Sequence, residues 1–119
     1  MPGPAPAVLA VDGWRLGLAV CKDTGVEEHA AATAALGMDV YVAGVVHRDA
    51  DGHVNGERAQ RAARDHGVWV ATASCAAPTG GGYDHTAGRS GVWAPDGSVV
   101  EMAGPAAGEV VTATLTAQR

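Results

Sequence analysis

The sequence contains no phenylalanine, one lysine and two cysteines, and these shortages limit the kinds of core and of site that the chain can form. Aromatic residues make up 4% of the chain although 47% is hydrophobic, so the predicted core consists mainly of alanine and valine. No apolar run approaches the roughly 20 residues that a bilayer-spanning helix needs, which argues against a membrane protein. Two cysteines are too few for a disulfide scaffold, and without a signal peptide they predict a reduced, cytoplasmic setting.

Charge and histidine spacing exclude other classes of partner. The net charge is −5 and no basic stripe is present, so nucleic acid is not an expected partner. The five histidines show no tight pair spacing and there is no C-x-x-C motif, which predicts solvated histidines, no metal site and no cofactor. These histidines are His29, His47, His53, His66 and His85. The run Gly80–Gly82 does not lie between a strand and a helix, as a phosphate-binding loop requires.

Length and pattern predict one α/β domain, residues 7–119, after a proline-rich lead-in at 1–6. A chain of 119 residues can bury roughly 65% of its unfolded surface, enough for one core. The predicted elements are strands 7–11 and 14–20, a helix from 24 or 25 to 36, a strand 40–46, a helix 56–66, and strands 68–73, 90–94, 99–102 and 109–115. Asn55 is the expected N-cap of the second helix, in which Glu57 and Arg61 form an i,i+4 pair. The alternation of strands and helices favours a parallel sheet with right-handed crossovers.

Cys21 carries most of the functional information. It ends the apolar strand 14–20, and Glu27 and Glu28 follow in the first turn of the predicted helix. A thiol at a strand–helix junction is favoured as the reactive thiolate by the helix dipole and nearby N–H groups. Taken alone, a cysteine flanked by apolar residues is more often a core residue than a nucleophile.

The segment around this cysteine resembles the nucleophile region of the carbon–nitrogen hydrolase (nitrilase/amidase) superfamily. There, a Gly-Leu-x-Ile-Cys-Tyr-Asp-like strand end leads to Phe-Pro-Glu, and here Gly17–Asp23 leads to Val26-Glu27-Glu28. Four further segments resemble family motifs in the same order, so that the resemblance runs from about Val8 to Leu115. These segments are Gly37–Val42, Ala63–Ser74, Gly88–Ser90 and Pro95–Gly97.

The resemblance implies a fold and a site. The fold would be half of a nitrilase-like α-β-β-α sandwich, with a strand–helix–strand–helix–strand unit followed by a β-hairpin region. Cys21 would be the nucleophile, and the backbone N–H of Lys22 would hold the oxyanion. Tyr83 and His85 would contact substrate beside the glycine loop. Asp23 and Glu28 would have structural roles near the site, and Cys75 a structural or pocket-lining one.

The other two members of the family's Glu-Lys-Cys triad have no counterpart. They precede the cysteine in the family, but the 20 residues before Cys21 contain neither glutamate nor lysine. Lys22 is a poor substitute, because neighbouring strand residues point to opposite faces. We therefore expect the C-terminal part of a hydrolase of small-molecule amides or nitriles, nearly inactive alone.

The partner of such a part would be a missing N-terminal half or, in a homo-oligomer, a second copy of this chain. A non-catalytic remnant is the alternative, and a thiol protein of another α/β family has little support. High alanine content and arginine in preference to lysine hint at a bacterial source.

Overall fold

Strands that follow one another in the chain are neighbours in the sheet. The computed structural model describes residues 6–47, 51–76 and 86–117. The strands are β1 Ala7–Val11, β2 Trp14–Val20, β3 Val40–Val45, β4 Trp69–Ser74, β5 Gly91–Trp93 and β6 Val99–Met102. The helices are α1 Glu27–Ala35 and α2 Gly52–His66, and a 3-10 turn spans Cys21–Gly25. The sheet order is β1-β2-β3-β4-β5-β6.

The direction of the strands divides the sheet into a parallel centre and antiparallel flanks. Strands β2, β3 and β4 run parallel, whereas β1, β5 and β6 join by antiparallel pairing. Helices α1 and α2 form the two crossovers between the parallel strands. Right-handed crossovers that advance in one direction place both helices on the same face. The predicted α/β unit with its following hairpin region is confirmed.

The helix-covered face holds the core. Its cluster combines small helix residues with alternate residues of the strands. The main members are Ala19, Ala30, Tyr41, Ala43, Val45, Ala59, Ala62, Ala63, Val70 and Trp93. Small residues let the layers approach closely: a Cβ on Gly17 would lie 2.5 Å from Met38 Sδ and 2.6 Å from Thr33 Cγ2. The predicted alanine- and valine-rich core is confirmed, with Trp93 and Tyr41 as its large members.

The other face of the sheet is bare around β2. Leu18 is 41% exposed and Val20 72% exposed, although both are large apolar residues. The edge strands also expose apolar side chains, among them Leu9 in β1 and Val99 in β6. Residues 6–47, 51–76 and 86–117 therefore form one helix layer on one sheet, as expected of half of a four-layer sandwich.

The predicted start of the second helix is wrong. Helix α2 begins at Gly52, so Asn55 lies inside it. Asn55 is buried, and its Nδ2 donates to Thr72 Oγ1 at 3.2 Å and to the Arg89 carbonyl at 3.4 Å. The Asn55 amide thus bonds to the sheet and to the loop that precedes β5, and it does not cap the start of the helix. Gly67, with φ of +61°, ends the helix as predicted.

Three further expectations need correction. The strand predicted at 109–115 does not form; that segment is irregular, although the Trp69 Nε1–H donates to the Thr116 carbonyl. Arg61 pairs with Glu27 of α1 at 3.5 Å, not with Glu57 of its own helix. The first helix begins at Glu27, because a 3-10 turn takes the preceding residues.

Other predicted boundaries shift by one residue or hold. The lead-in before Pro6 and the loop Gly80–Gly82 lie outside the described residues. No helix in the described part of the chain is long and apolar enough to cross a membrane.

Candidate active site

Strand register brings both cysteines to one edge of the sheet. Val20 pairs with Gly44, and Val45 pairs with Ser74, so β2, β3 and β4 end together. Cys21 and Cys75 each follow directly after one of these ends. The Cys75 N–H extends the ladder by donating to the Val45 carbonyl at 3.1 Å. Residues after the carboxyl ends of parallel strands are where α/β folds place their ligand sites.

The backbone of Cys21 is in an unusual conformation. Its φ is +45°, in the left-handed region that favours glycine and costs other residues roughly 1–2 kcal/mol. Its thiol is free and half-buried, and Sγ donates a weak hydrogen bond to the Val46 carbonyl at 3.7 Å. Strained residues of this kind cluster at functional sites and persist only where surrounding contacts hold them.

Contacts within the 3-10 turn hold this conformation. Thr24 is buried, and its Oγ1 donates to the Cys21 carbonyl at 2.8 Å. The carboxylate of Asp23 accepts the Val20 N–H at 3.0 Å, so it ties the turn to the last residue of β2. The Asp23 carbonyl accepts the Val26 N–H at 3.1 Å and closes the turn before α1.

The turn also separates Cys21 from the helix that the sequence placed behind it. Helix α1 begins at Glu27, after the five residues of the turn. The helix dipole therefore acts from beyond this turn, and its effect on the thiol stays a prediction. The side-chain hydrogen bonds described for Cys21 join it to Thr24 of its own turn and to Val46, which follows β3.

His29 is not solvated, contrary to the sequence-based expectation. It lies on α1, where its Nδ1 is 2.6 Å from the Tyr41 hydroxyl and its Nε2 is 3.6 Å from Asp23 Oδ2. Burial, helped by the negative charge of Asp23, raises the pKa of Tyr41 well above its usual range. The phenol therefore keeps its proton at neutral pH.

His47 also departs from the prediction, since it is 8% exposed. Its Nε2 is buried without a hydrogen-bond partner among the described residues, and its carbonyl accepts the Ala87 N–H. Burial and, next, the positive charge of Arg58 lower the pKa of His47, partly opposed by Asp51. The burial of His47 could have been predicted from the sequence. Tyr41, Ala43 and Val45 alternate along β3 on its buried face, and His47 continues that alternation past the end of the strand.

Of the remaining predicted site residues, the structure describes Glu28 fully and Lys22 only in its backbone. Lys22 lies in the 3-10 turn, and only its backbone is described. Glu28 is exposed in the first turn of α1, with no hydrogen bond or ion pair to another described residue, so its structural role stays a prediction. Tyr83 and His85 lie outside the described residues. Within residues 6–47, 51–76 and 86–117, no group of three or more side chains lies close enough together to hold a metal ion.

Known proteins resemble this chain in structure, whereas curated sequences do not match it. No curated protein sequence matches the chain significantly. Solved structures do match, including a cysteine-to-alanine mutant of an amidase of the nitrilase superfamily from Nesterenkonia AN1, 28% identical with a TM-score of 0.74. That match covers 87% of this chain and 39% of the amidase.

Two further structures extend the comparison. A glutamate-to-glutamine mutant of the Nesterenkonia amidase, which carries acrylamide added to its active-site cysteine, is 28% identical with a TM-score of 0.75. That match covers 89% of this chain and 41% of the amidase. Nit3 of Saccharomyces cerevisiae, a nitrilase-superfamily member, is 24% identical with a TM-score of 0.79, over 89% of this chain and 39% of Nit3.

The chain thus spans about two fifths of the length of these neighbours. The sequence profile of the carbon-nitrogen hydrolases matches residues 1–119. The chain belongs to the carbon-nitrogen hydrolase family.

Proposed function

We propose that this chain is the nucleophile-bearing, C-terminal part of a hydrolase that cleaves a non-peptide carbon–nitrogen bond, with Cys21 as the nucleophile. The observation that carries the proposal is the strained backbone of Cys21, a free thiol at the carboxyl edge of the parallel strands. In mutants of the Nesterenkonia amidase, acrylamide and the acetamide moiety of fluoroacetamide are added covalently at the active-site cysteine. A small-molecule amide or nitrile is the corresponding substrate class here.

The proposed reaction proceeds through a covalent acyl-enzyme. A base takes the thiol proton, and Cys21 Sγ attacks the amide carbon to give a tetrahedral adduct. The adduct collapses with loss of ammonia or amine, which takes up a proton, and leaves a thioester. Water then attacks the thioester carbon, releases the acid and restores the thiol. The Lys22 N–H is the proposed donor to the oxyanion, and Tyr83 and His85 remain proposed substrate contacts.

The base must come from outside the acids near Cys21. Asp23 already accepts the Val20 N–H and lies at ion-pair distance from His29. Glu27 is paired with Arg61, and Glu28 is exposed on α1. Loss of a general base typically costs about 10²–10⁴ in rate. We therefore propose that another segment or chain supplies the base, and that these residues alone turn over almost no substrate.

The test separates reactivity of the thiol from turnover. The purified chain is treated with iodoacetamide, and labelling of each cysteine is followed by mass spectrometry in the wild type, Cys21→Ser and Cys75→Ser. We expect Cys21 to be labelled several-fold faster than Cys75. Ammonia release from a panel of simple amides should stay at the level of Cys21→Ser.

Two outcomes would contradict the proposal in different places. Equal labelling of the two cysteines would remove Cys21 as the nucleophile. Robust ammonia release that depends on Cys21 would keep the nucleophile but show that a base is present within these residues.

A second candidate is a non-catalytic part that only associates. The bare apolar face around Leu18 and Val20 favours it, because such a face is normally covered in a stable protein. In that case the chain should associate, yet Cys21 should be alkylated no faster than an ordinary exposed thiol.

A further inference from the structure

Three side chains from three different elements form a connected chain behind the cysteine turn. Asp23 lies in the 3-10 turn, His29 on α1 and Tyr41 on β3. His29 stands between the other two, 2.6 Å from the Tyr41 hydroxyl through Nδ1 and 3.6 Å from Asp23 Oδ2 through Nε2. Nothing in the proposed reaction uses His29 or Tyr41.

The environment of Tyr41 fixes where the protons lie. Tyr41 is 1% exposed and holds its proton, so it requires an acceptor for its O–H. Among the described residues, His29 Nδ1 is the acceptor within reach. A neutral imidazole that accepts at Nδ1 must carry its proton on Nε2, and that proton then faces the Asp23 carboxylate. Tyr41 therefore donates to His29, and the His29 Nε2–H faces Asp23 Oδ2 at an ion-pair distance of 3.6 Å.

The chain ends on the backbone that carries Cys21. The Asp23 oxygen that faces His29 is the same atom, Oδ2, that accepts the Val20 N–H at 3.0 Å. Val20 precedes Cys21, whose φ of +45° needs support from surrounding contacts. An aspartate free to rotate would release the Val20 N–H and, with it, one of the two side-chain contacts that hold the turn.

We propose that His29 is a positioning residue for Cys21: oriented by Tyr41, it fixes Asp23, and Asp23 fixes the turn that presents the thiol. The role of the thiol rests on the proposed function, whereas the order of donors does not. Side-chain networks of this kind often contribute more than their separate contacts, because each member restricts the next.

The first readout is the tautomer of His29 in the intact 119-residue chain. Long-range proton–nitrogen correlation spectra at neutral pH should show a protonated Nε2 and an unprotonated Nδ1. Tyr41→Phe keeps the ring but removes the donor, so the His29 signals should move toward a mixture of tautomers. A wild-type His29 protonated on Nδ1 alone, or on both nitrogens, would overturn the inferred order.

The second readout is the alkylation rate of Cys21, measured in a Cys75→Ser background. His29→Leu should lower the rate roughly tenfold, less than the ~100-fold that a misplacement of about 1 Å can cost a catalysed step. His29→Gln should restore most of the rate, because its amide can donate to Asp23. His53→Leu, at an exposed histidine of α2, is the matched control and should leave the rate unchanged.

The two readouts separate the inference from the proposed function. If Cys21 reacts no faster than Cys75 in the wild type, the proposed function fails while the tautomer still tests the chain of donors. If the tautomer is as inferred but a folded His29→Leu variant reacts as the wild type does, or His29→Gln reacts as slowly as His29→Leu, His29 is not a positioning residue.

Discussion

The two faces of the sheet differ greatly in how far they bury their apolar side chains. On the helix-covered face, Trp93, Tyr41 and Val70 are almost completely buried, and polar groups such as Asn55 find partners. On the bare face, Val20 is 72% exposed although it lies beside Cys21 on a central strand. One face therefore holds the packed core, whereas the other leaves large apolar side chains exposed.

The largest effect should come from the buried amide of the covered face. Asn55→Asp removes the donor to Thr72 and Arg89 and buries a carboxylate, so we expect a loss of about 3 kcal/mol or more in the free energy of unfolding. Urea denaturation measures it. Were Asn55 an N-cap, aspartate would be nearly equivalent and the loss would be negligible.

A matched change of amide to acid exists on the same helix. Gln60 is exposed, and its Nε2 donates to the Gly97 carbonyl at 3.2 Å. Gln60→Glu should cost less than about 1 kcal/mol, because water can solvate the new charge. A similar loss in both variants would mean that burial does not distinguish the two positions.

A second prediction compares one substitution on the two faces. Val70 is 1% exposed on the covered side and Val20 72% exposed on the bare side. Val70→Ala should lower the free energy of unfolding by about 2 kcal/mol, whereas Val20→Ala should change it by less than about 0.5 kcal/mol. The measurement is made at a dilution where the chain is monomeric. Equal losses would show that the bare face is covered within a single chain.

The third prediction concerns association through the bare face. Sedimentation velocity at rising concentration should reveal self-association, and Leu18→Lys with Val20→Lys should raise the dissociation constant at least about tenfold, since buried lysine charges are unfavourable. Leu36→Lys, at a residue 44% exposed beyond the end of α1, is the control and should have little effect. A tight monomer at high concentration would contradict the half-sandwich interpretation.

The smallest effect is a pH dependence on the covered face. The pKa of His47 is lower in the folded chain than in the unfolded chain, where it is near its ordinary value of about 6.5. The unfolded state therefore binds more protons below that value, and stability should fall as pH decreases from 7 toward the folded pKa. His47→Gln should flatten this slope in urea titrations, whereas His53→Gln at an exposed position should not. An unchanged slope in His47→Gln would assign the dependence to other groups.

Local sequence patterns predicted the elements but not the contacts between them. Strands Trp14–Val20 and Val99–Met102 were predicted with their exact bounds, because alternation and turn residues are read within a few positions. The contacts of Asn55 with Thr72 and Arg89, and that of His29 with Tyr41, join residues 12 to 34 positions apart, which no local pattern contains.

The family motif predicted Cys21 as the candidate nucleophile, but it could not predict the backbone geometry of that residue. The left-handed φ and the five-residue turn arise from the contacts of Thr24 and Asp23, which compete with an earlier helix start. The sequence pattern, with Glu27 and Glu28 in the first turn of a helix, could not show that Thr24 and Asp23 would form a separate turn before it.

The order of the strands has a consequence for how the protein is made. Because strand order follows chain order from β1 to β6, each strand after β1 has a partner among residues that the ribosome has already released. Pairing between successive strands closes shorter connections than any other strand order would, and shorter connections cost less to close. The sheet can therefore lengthen by one strand at a time during synthesis, and its growing edge is always the most recently made strand.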